Sequence, residues 1–324
     1  MTNSPLVVKG LSIKGPVICI GGALIDELYF CDSKPVPGTS NPATFIRTSG
    51  GVARNVAQHL SQLDIPVELI TQIGEDPDGE ILLRDCKKWS IGIGSSLISK
   101  AATGKFVAIL GPEGELFTAA TVSNLESEIT PQYLSEIQVV LQSASVLVAD
   151  CNLSSESLDF LIQFSVSSKI PLIIEPVSVP KAAKLKGLDL SGVYLITPNQ
   201  NELKAITGIS VSDETQLIRE VIQTKSIRQI WLRKGELGSE YFSEIVDLNV
   251  KPPKIKVSDG TGAGDAALAG WLYGLWNNHS DLKRIQYGHS LAALVLAQKG
   301  SHLPHLQTHD LESAFQSFYG TTIS

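Results

Sequence analysis

The stretch VSDGTGAGDAALAG, residues 257–270, carries the clearest indication of the fold and its chemistry. Gly260, Gly262 and Gly264 crowd a turn that opens directly into an alanine-rich helix. Backbone N–H groups and the positive end of the helix dipole therefore converge on one point, which predicts an anion site. Asp265 lies at the same helix start, where a carboxylate suits a general base that takes a proton from an attacking hydroxyl. The alternative is that Asp265 only caps the helix.

A second helix start that follows glycines is TSGGVARNVAQHL, residues 48–60. Gly50 and Gly51 let the backbone pass close to a ligand, and Asn55 follows in the first turn of an amphipathic helix. Because an amide both donates and accepts hydrogen bonds, Asn55 is a candidate to bind paired hydroxyl groups. Two glycines at the start of an ordinary helix would explain the same pattern.

Another candidate follows the first predicted strand, in CIGGALIDELYF, residues 19–30. Ligands of open α/β sheets bind at the carboxyl ends of the strands, which is where Asp26 is expected. Its carboxylate could hold two sugar hydroxyls, so we predict a substrate-binding role for Asp26. A solvated carboxylate in a loop is the alternative.

Two polar residues follow a later strand in LITPNQNELKAITG, residues 195–208. Asn199 and Glu202 lie three positions apart, on one face of a starting helix. This spacing suits an outer-shell role around hydrated Mg²⁺, and it equally suits a capping box. Glu175 follows another strand. It is either a second carboxylate near the Mg²⁺ or part of a surface turn. Asp150 ends a further strand at the same edge.

The rest of the chain alternates short runs of β-branched residues with longer amphipathic segments, which predicts a parallel α/β sheet with helices on both faces. The predicted strands are 17–21, 67–73, 145–149, 171–174, 194–196 and 229–232. The predicted helices are 52–63, 78–89, 131–143, 156–166, 200–207, 214–225, 266–277, 282–298 and 309–318. Two stretches rich in glycine and proline interrupt the alternation. We therefore predict one domain, residues 1–324, with β lid segments inserted at about 28–48 and 104–121.

Composition excludes several classes of protein. The 324 residues carry 26 Lys plus Arg and 33 Asp plus Glu, a formal net charge of −7, which argues against a broad nucleic-acid-binding face. The four cysteines form no CxxC or CxxH pair, so reduced thiols are expected rather than a zinc site or disulfides. No apolar run reaches ~18 residues and the start shows no secretory leader. A cytoplasmic protein with neither membrane nor nucleic-acid partners is expected.

Three motifs occur together and in one order: SGGVARNVA at 49–57, NQNE at 199–202 and SDGTGAGDA at 258–266. With them the sequence resembles the ribokinase-like sugar and nucleoside kinases, the PfkB family. The resemblance extends from about residue 17 to about residue 318. It implies a ribokinase-like α/β fold with a small β lid, and a phosphotransferase that uses an alcohol group as acceptor.

The resemblance also implies roles for the residues that match the family's motifs. Asp265 is then the catalytic base, and the anion hole is formed by Gly262, Ala263 and Gly264. The positions that bind the small-molecule acceptor are Asp26, Gly50, Gly51 and Asn55. The positions that bind the nucleotide are Asn199, Glu202, Gly235 and Gly238, and the metal positions are Glu202 for Mg²⁺ and Asp259 for a monovalent cation. The implied cofactors are ATP and Mg²⁺, with K⁺ as a further expectation.

Within the family, GGVARNVAQHL, VADCNLS and EPVSVPK followed by TPNQNEL are most similar to pseudouridine kinases. This implies phosphorylation of the 5′-hydroxyl of pseudouridine. Alternatives are a ribokinase or another nucleoside kinase, and a non-catalytic nucleoside-binding regulator. Arg233 and Lys234 precede Gly235 at a position where relatives have Thr-Leu-Gly. These two cations either bind phosphate or lie on the surface. Exposed lid edges favour pairing between protomers, so a homodimer is expected.

Overall fold

An eight-stranded sheet organises the computed structural model, which describes residues 15–208, 214–298, 300 and 303–320. The strands in chain order are β1 (Val17–Ile20), β2 (Leu24–Cys31), β3 (Ala43–Gly50), β4 (Val67–Ile70), β5 (Gln72–Gly74), β6 (Leu97–Ser99), β7 (Gly104–Leu110), β8 (Leu116–Val122), β9 (Val146–Asp150), β10 (Leu172–Glu175), β11 (Val193–Ile196), β12 (Gln229–Arg233), β13 (Ser239–Ser243) and β14 (Asp247–Val250). The α-helices are α1 (Val52–Gln62), α2 (Pro77–Lys88), α3 (Leu125–Glu128), α4 (Pro131–Glu136), α5 (Gln138–Gln142), α6 (Ser155–Ser168), α7 (Val179–Ala182), α8 (Gln200–Thr207), α9 (Glu214–Lys225), α10 (Ala263–Trp276), α11 (Asp281–Leu296) and α12 (Thr308–Tyr319).

The main sheet has the strand order β14-β13-β12-β11-β10-β9-β1-β4. The strands from β12 to β4 are parallel to their neighbours, which confirms the predicted α/β fold. The antiparallel strands β13 and β14 extend one edge and are missing from the predicted strands. Because this hairpin lies at an edge, SEYFS and DLNV mix charged with apolar residues and lack the apolar run of a buried strand.

Two predicted elements are divided in the structure. The predicted strand 67–73 splits into β4 and β5, because β5 leaves the main sheet and pairs with β6. The predicted helix 131–143 is two short helices, α4 and α5, which meet at Ile137. Leu134 of α4 and Leu141 of α5 are both fully buried, so the break lets each short helix direct an apolar side chain into the core.

The hydrophobic core lies on both faces of the main sheet. Val17 and Cys19 of β1 pack into one cluster with α1, α10 and α11, whereas Ile18 and Ile20 pack into a second cluster with α6 and α8. Successive side chains of a strand point to opposite faces, so a strand that is covered on both sides needs a continuous apolar run. Among the described residues, no helix has both the length and the apolar character needed to cross a bilayer.

A smaller four-stranded sheet, here called the lid sheet, has the strand order β3-β2-β7-β8. It includes most of the two stretches that interrupt the strand–helix alternation. β2 and β7 are parallel at its centre, and β3 and β8 are its antiparallel edges. Asp78 of α2 forms ion pairs with Arg47 of β3 and Lys105 of β7. These contacts connect the lid sheet to the helical layer of the main body.

Candidate active site

The glycine turn before α10 presents a cluster of backbone N–H groups. Gly262 has φ 75°, a left-handed conformation that favours glycine, and α10 begins directly after it with Ala263 and Gly264. Within the described residues, no side chain caps the first turn of this 14-residue helix. The positive end of the helix is therefore available to an anion, as the sequence predicts.

Asp265 lies at the third position of α10 and is buried, with 9% of its surface exposed. Asn55 Nδ2 donates a hydrogen bond of 2.8 Å to Asp265 Oδ2, although 210 residues separate the two. Burial raises the pKa of Asp265 to about 8; Asn55 and Arg233 oppose this rise, and Glu175 and Asp150 add to it. The carboxylate is thus bonded to Asn55 rather than to the N–H groups of its own helix. A capping role does not explain this position.

Asp150, at the end of β9, holds together the segments that surround the site. Its Oδ2 accepts hydrogen bonds from the backbone N–H of Gly22 at 2.9 Å and of Ala53 at 3.0 Å, and its Oδ1 accepts from Asn152 N–H at 2.9 Å. Ala53 is in the first turn of α1, so Asp150 caps that helix from a distant strand. Burial raises the pKa of Asp150. The sequence places Asp150 at this edge but indicates no role for it.

Gly50 and Gly51 leave room for groups of the protein itself. A Cβ atom at Gly50 would lie 2.1 Å from Asp26 Oδ2, and one at Gly51 would lie 2.3 Å from the carbonyl oxygen of Gly22. Gly51 also has φ 100°, which favours glycine. The two glycines therefore let the Asp26 carboxylate and the segment after β1 approach the start of α1. Their contact with a ligand stays a prediction.

Asp26 lies within β2 rather than in a loop, so the alternative of a solvated loop carboxylate is wrong. It is paired with Thr48 of β3 and Phe106 of β7 in the lid sheet. Burial raises the pKa of Asp26 to about 6, and the nearby Arg54 opposes that rise. The carboxylate thus lies where the lid sheet meets α1.

Asn199 and Glu202 form the capping box that the sequence left as one alternative. Asn199 Oδ1 accepts from the backbone N–H of Glu202 at 2.9 Å, and Glu202 Oε2 accepts from Asn199 N–H at 2.8 Å. Glu202 is buried, which raises its pKa, and it lies near Glu175 and Arg233. The capping box occupies only one carboxylate oxygen of Glu202. Binding of hydrated Mg²⁺ by this side chain stays a prediction.

Arg233 connects the end of β12 to the glycine turn. Its Nη1 donates to the carbonyl oxygen of Gly264 at 3.0 Å, and its Nη2 donates to Glu175 Oε1 at 2.6 Å. Glu175 also accepts from Thr197 Oγ1 at 2.6 Å and is only 4% exposed, so the surface-turn alternative for Glu175 is wrong. Lys234 pairs with Glu240 at 2.7 Å. Both cations that depart from the family pattern therefore have carboxylate partners.

Gly235 and Gly238 shape the connection between β12 and β13. Their φ angles are 58° and 97°, and a Cβ atom at Gly238 would lie 2.3 Å from the carbonyl oxygen of Val250. This close approach explains the second glycine without a ligand. Nucleotide binding by Gly235 and Gly238 stays a prediction.

Asp259 connects the glycine turn to the chain that follows α11. Its Oδ1 accepts from the backbone N–H of Thr261 at 2.9 Å, and its Oδ2 accepts from Gly300 N–H at 3.0 Å. The carboxylate is therefore fixed by two backbone donors beside the candidate anion site. Among the described residues, no three or more histidine, cysteine, aspartate or glutamate side chains are grouped so as to hold a metal ion.

The site is acidic as a whole. The described carboxylates at this edge are Asp26, Asp150, Glu175, Glu202 and Asp265, and the guanidinium groups among them are Arg54 and Arg233. The structure thus brings together side chains from β2, α1, β9, β10, α8, β12 and α10. Sequence reasoning placed Asp150 at this edge without a role and assigned no role to Arg54. The signal available for Asp150 was a carboxylate at the end of the apolar run VLVAD.

Known proteins match this chain in sequence and in fold. The model of the pfkB family carbohydrate kinases matches residues 15–308. A pseudouridine kinase of Escherichia coli (strain K12) is 30% identical over 271 residues, which cover 81% of this chain and 85% of that protein. A pseudouridine kinase of Arabidopsis thaliana is 31% identical over 195 residues, which cover 60% of this chain and 50% of that protein. The solved structure of Arabidopsis thaliana ribokinase complexed with ribose and ATP has a TM-score of 0.79 at 18% identity, covering 94% of this chain and 99% of that one.

Proposed function

This chain belongs to the pfkB family of carbohydrate kinases, and from that premise we propose that it transfers the γ-phosphoryl group of ATP to the 5′-hydroxyl of pseudouridine, giving pseudouridine 5′-phosphate. Kinases of this family are phosphotransferases that act on hydroxyl groups. The observation that carries the proposal is the buried Asp265 carboxylate, which Asn55 holds at the uncapped start of α10.

In this proposal Asp265 is the general base. Its carboxylate accepts the proton of the acceptor hydroxyl as that oxygen forms a bond to the γ-phosphorus. The bond from phosphorus to the β-phosphate oxygen breaks, and ADP leaves with the electron pair. Backbone N–H groups of residues 262–264 lie at the start of α10, where they stabilise the negative charge that develops on the transferred group.

The identity of the acceptor rests on the relatives and on the polar groups near α1. Two of the relatives are pseudouridine kinases, and Asp26 and Asn55 supply the carboxylate and amide that ribose hydroxyls require. Ribose or another nucleoside is the second candidate, because the same two side chains would bind any ribosyl group. A non-catalytic regulator is the third, although a base beside an anion site has no use in a sensor.

An acceptor panel tests the proposed function. Purified protein is incubated with ATP, Mg²⁺ and pseudouridine, uridine, adenosine or ribose, and ADP release and product mass are measured. We expect kcat/KM for pseudouridine to exceed that for the other three by at least about tenfold, a ratio that a single matched polar contact can supply. A preference for ribose would contradict the nucleoside assignment. Binding without ADP release for every acceptor would support the regulator instead.

We further propose that Mg²⁺ accompanies ATP and that K⁺ binds near Asp259. Glu202 and Glu175 are two buried carboxylates at one edge of the sheet, and such a donor set suits Mg²⁺, which binds one or two carboxylates together with phosphate oxygens and water. When bound, the ion neutralises phosphate charge. The fixed carboxylate of Asp259 suits a monovalent cation beside the glycine turn. Unchanged activity when K⁺ is replaced by a large organic cation at equal ionic strength would reject the K⁺ site.

The proposed base predicts a pH dependence. Asp265 must be ionised to accept a proton, and burial raises its pKa to about 8. We expect kcat/KM for the acceptor to rise about tenfold per pH unit below pH 8 and to level off above it. Initial rates between pH 6 and pH 9.5 measure this profile. A flat profile across that range would show that Asp265 is not the group that must lose its proton.

The exposed edge strands of the lid sheet suggest how two copies of the chain associate. All seven residues of β8 and the first five of β3 are exposed, and these two strands are the edges of the sheet. Phe45 and Leu116 are each 60% exposed there. We propose that the lid sheet closes over the acceptor and that its open edges pair with those of a second copy, forming a homodimer.

We also propose a cytoplasmic location, with which the four buried free cysteines agree.

Sedimentation tests the homodimer. We expect the wild-type protein to sediment at about twice the 34.8 kDa of one chain, and the Phe45→Lys, Leu116→Lys double variant to sediment as a monomer, because a charge in an apolar contact opposes association. Ile245→Lys is the matched control: Ile245 is 95% exposed but lies between β13 and β14, away from the lid sheet. A monomeric wild type, or dissociation by the control alone, would contradict the proposal.

A further inference from the structure

Arg54 is a buried cation in the first turn of α1, with only 1% of its surface exposed. Its Nη1 donates to the carbonyl oxygen of Ser49 at 2.9 Å and to Asn55 Oδ1 at 3.1 Å, while its Nε has no hydrogen-bond partner among the described residues. Arginine is rarely buried to this extent unless it is paired. The bonds of Nη1 therefore connect the end of β3 to the amide of Asn55.

The groups that surround the guanidinium lie on β2, α2 and β3. Asp26 of β2 and Asp85 of α2 both favour the charged form of Arg54, against the burial that lowers its pKa. Cys86 of α2 also faces the guanidinium, and Ser49 of β3 joins the group by donating to Asp85. The guanidinium therefore compensates the charge of the Asp26 carboxylate, which lies at the proposed acceptor site.

Arg54 also determines how the amide of Asn55 is oriented. A guanidinium has only donors, so the atom of Asn55 that faces Arg54 must be the amide oxygen. The amide nitrogen then points the other way, toward Asp265 Oδ2 at 2.8 Å. Without Arg54, the amide could rotate and direct its oxygen at the carboxylate. The hydrogen bond that favours the ionised form of Asp265 would then be lost.

We propose that Arg54 is a positioning residue of the phosphoryl transfer: it orients Asn55 so that its amide nitrogen holds Asp265. The proposal rests on the base role of Asp265 in the proposed function. Glu175, Arg233 and Asp150 also influence the pKa of Asp265, and Arg54 acts on Asp265 through Asn55.

A double-mutant cycle on kcat tests this inference, with Arg54→Met, Asn55→Ala and the double variant, on whichever acceptor of the panel is phosphorylated. Methionine keeps much of the side-chain volume but has no donor. We expect Arg54→Met to lower kcat about 10- to 100-fold in the wild-type background and less than about threefold in the Asn55→Ala background. We also expect the acid limb of the pH profile, which is the rise of kcat/KM below pH 8, to move to higher pH. Arg54→Lys keeps a charge and a donor, so it should lose less activity and replaces Arg54→Met in the cycle if that variant does not fold.

Gln58→Met is the matched control. Gln58 lies one turn further along α1, is fully buried, and neither of its amide atoms forms a hydrogen bond among the described residues. We expect this variant to keep wild-type kcat and the wild-type acid limb. A folded Arg54 variant with both of these unchanged, or an equal loss of kcat in both backgrounds, would overturn the proposal.

A readout without acceptor separates this inference from the proposed function. Carboxyl-labelled aspartate allows the pKa of Asp265 to be followed by NMR titration. We expect that pKa to be higher than in the wild type in Arg54→Met and, by a smaller amount, in Arg54→Lys, which keeps a charge and a donor. An unchanged pKa of Asp265 would overturn the role of Arg54. A wild-type protein that does not phosphorylate pseudouridine would overturn only the proposed acceptor, since both the cycle and the titration can still be carried out.

Discussion

Replacement of Asp265 by asparagine is expected to lower turnover about 10²- to 10⁴-fold, the usual contribution of a general base. The amide has nearly the same size but cannot accept the hydroxyl proton. Binding of ATP should change far less than turnover, because the N–H groups at the start of α10 belong to the backbone. The experiment measures kcat with the acceptor that the panel identifies, together with the Kd for ATP.

Stability measurements serve as the control for Asp265→Asn. In the unfolded chain a carboxyl group loses its proton near pH 4, whereas the buried Asp265 keeps its proton up to about pH 8. Folding therefore takes up a proton between these values, so the wild type loses stability as pH rises through this window. The asparagine variant lacks the contribution of Asp265 to this dependence and should be at least as stable as the wild type above pH 8. A folded variant that keeps more than roughly a tenth of wild-type turnover would remove Asp265 from the base role.

Asp150→Ala is expected to lower the free energy of unfolding by about 3 kcal/mol, since each buried N–H group without an acceptor costs about 1–3 kcal/mol and the penalty for burying the carboxylate is regained. The N–H groups affected belong to Gly22, Ala53 and Asn152. Turnover should fall as well, because the start of α1 carries Asn55. Urea denaturation and kcat measure the two effects.

Asp189→Ala is the matched control for Asp150→Ala. Asp189 Oδ1 accepts from the backbone N–H two residues later, that of Ser191, at 2.9 Å, as Asp150 Oδ1 does from Asn152. Asp189 is exposed, so water replaces the lost acceptor and little change in stability is expected. A loss for Asp150→Ala no larger than that for Asp189→Ala would contradict the role of Asp150 as a buried organiser of the site.

Local pattern was sufficient to predict most of the elements. The predicted helices 200–207 and 214–225 have the bounds of α8 and α9, because apolar periodicity and capping residues act within a few positions of one another. The same pattern failed for β13 and β14, because this antiparallel hairpin extends the edge of the sheet and its strands contain no continuous apolar run. It also failed for residues 67–73, where only the pairing of β5 with β6 divides the strand.

The sequence by itself determined the α/β alternation, the glycine turn that leads into α10, and the presence of Asn55 and Asp265 as candidate polar groups. These depend on backbone conformation and hydrophobic spacing, which neighbouring residues control. The tertiary structure alone decided that Asn55 contacts Asp265 across 210 positions and that Asp150 caps α1 from 97 positions away. Contacts between residues so far apart in the chain depend on how strands and helices pack. The sequence alone therefore shows which groups are present but not which of them are in contact.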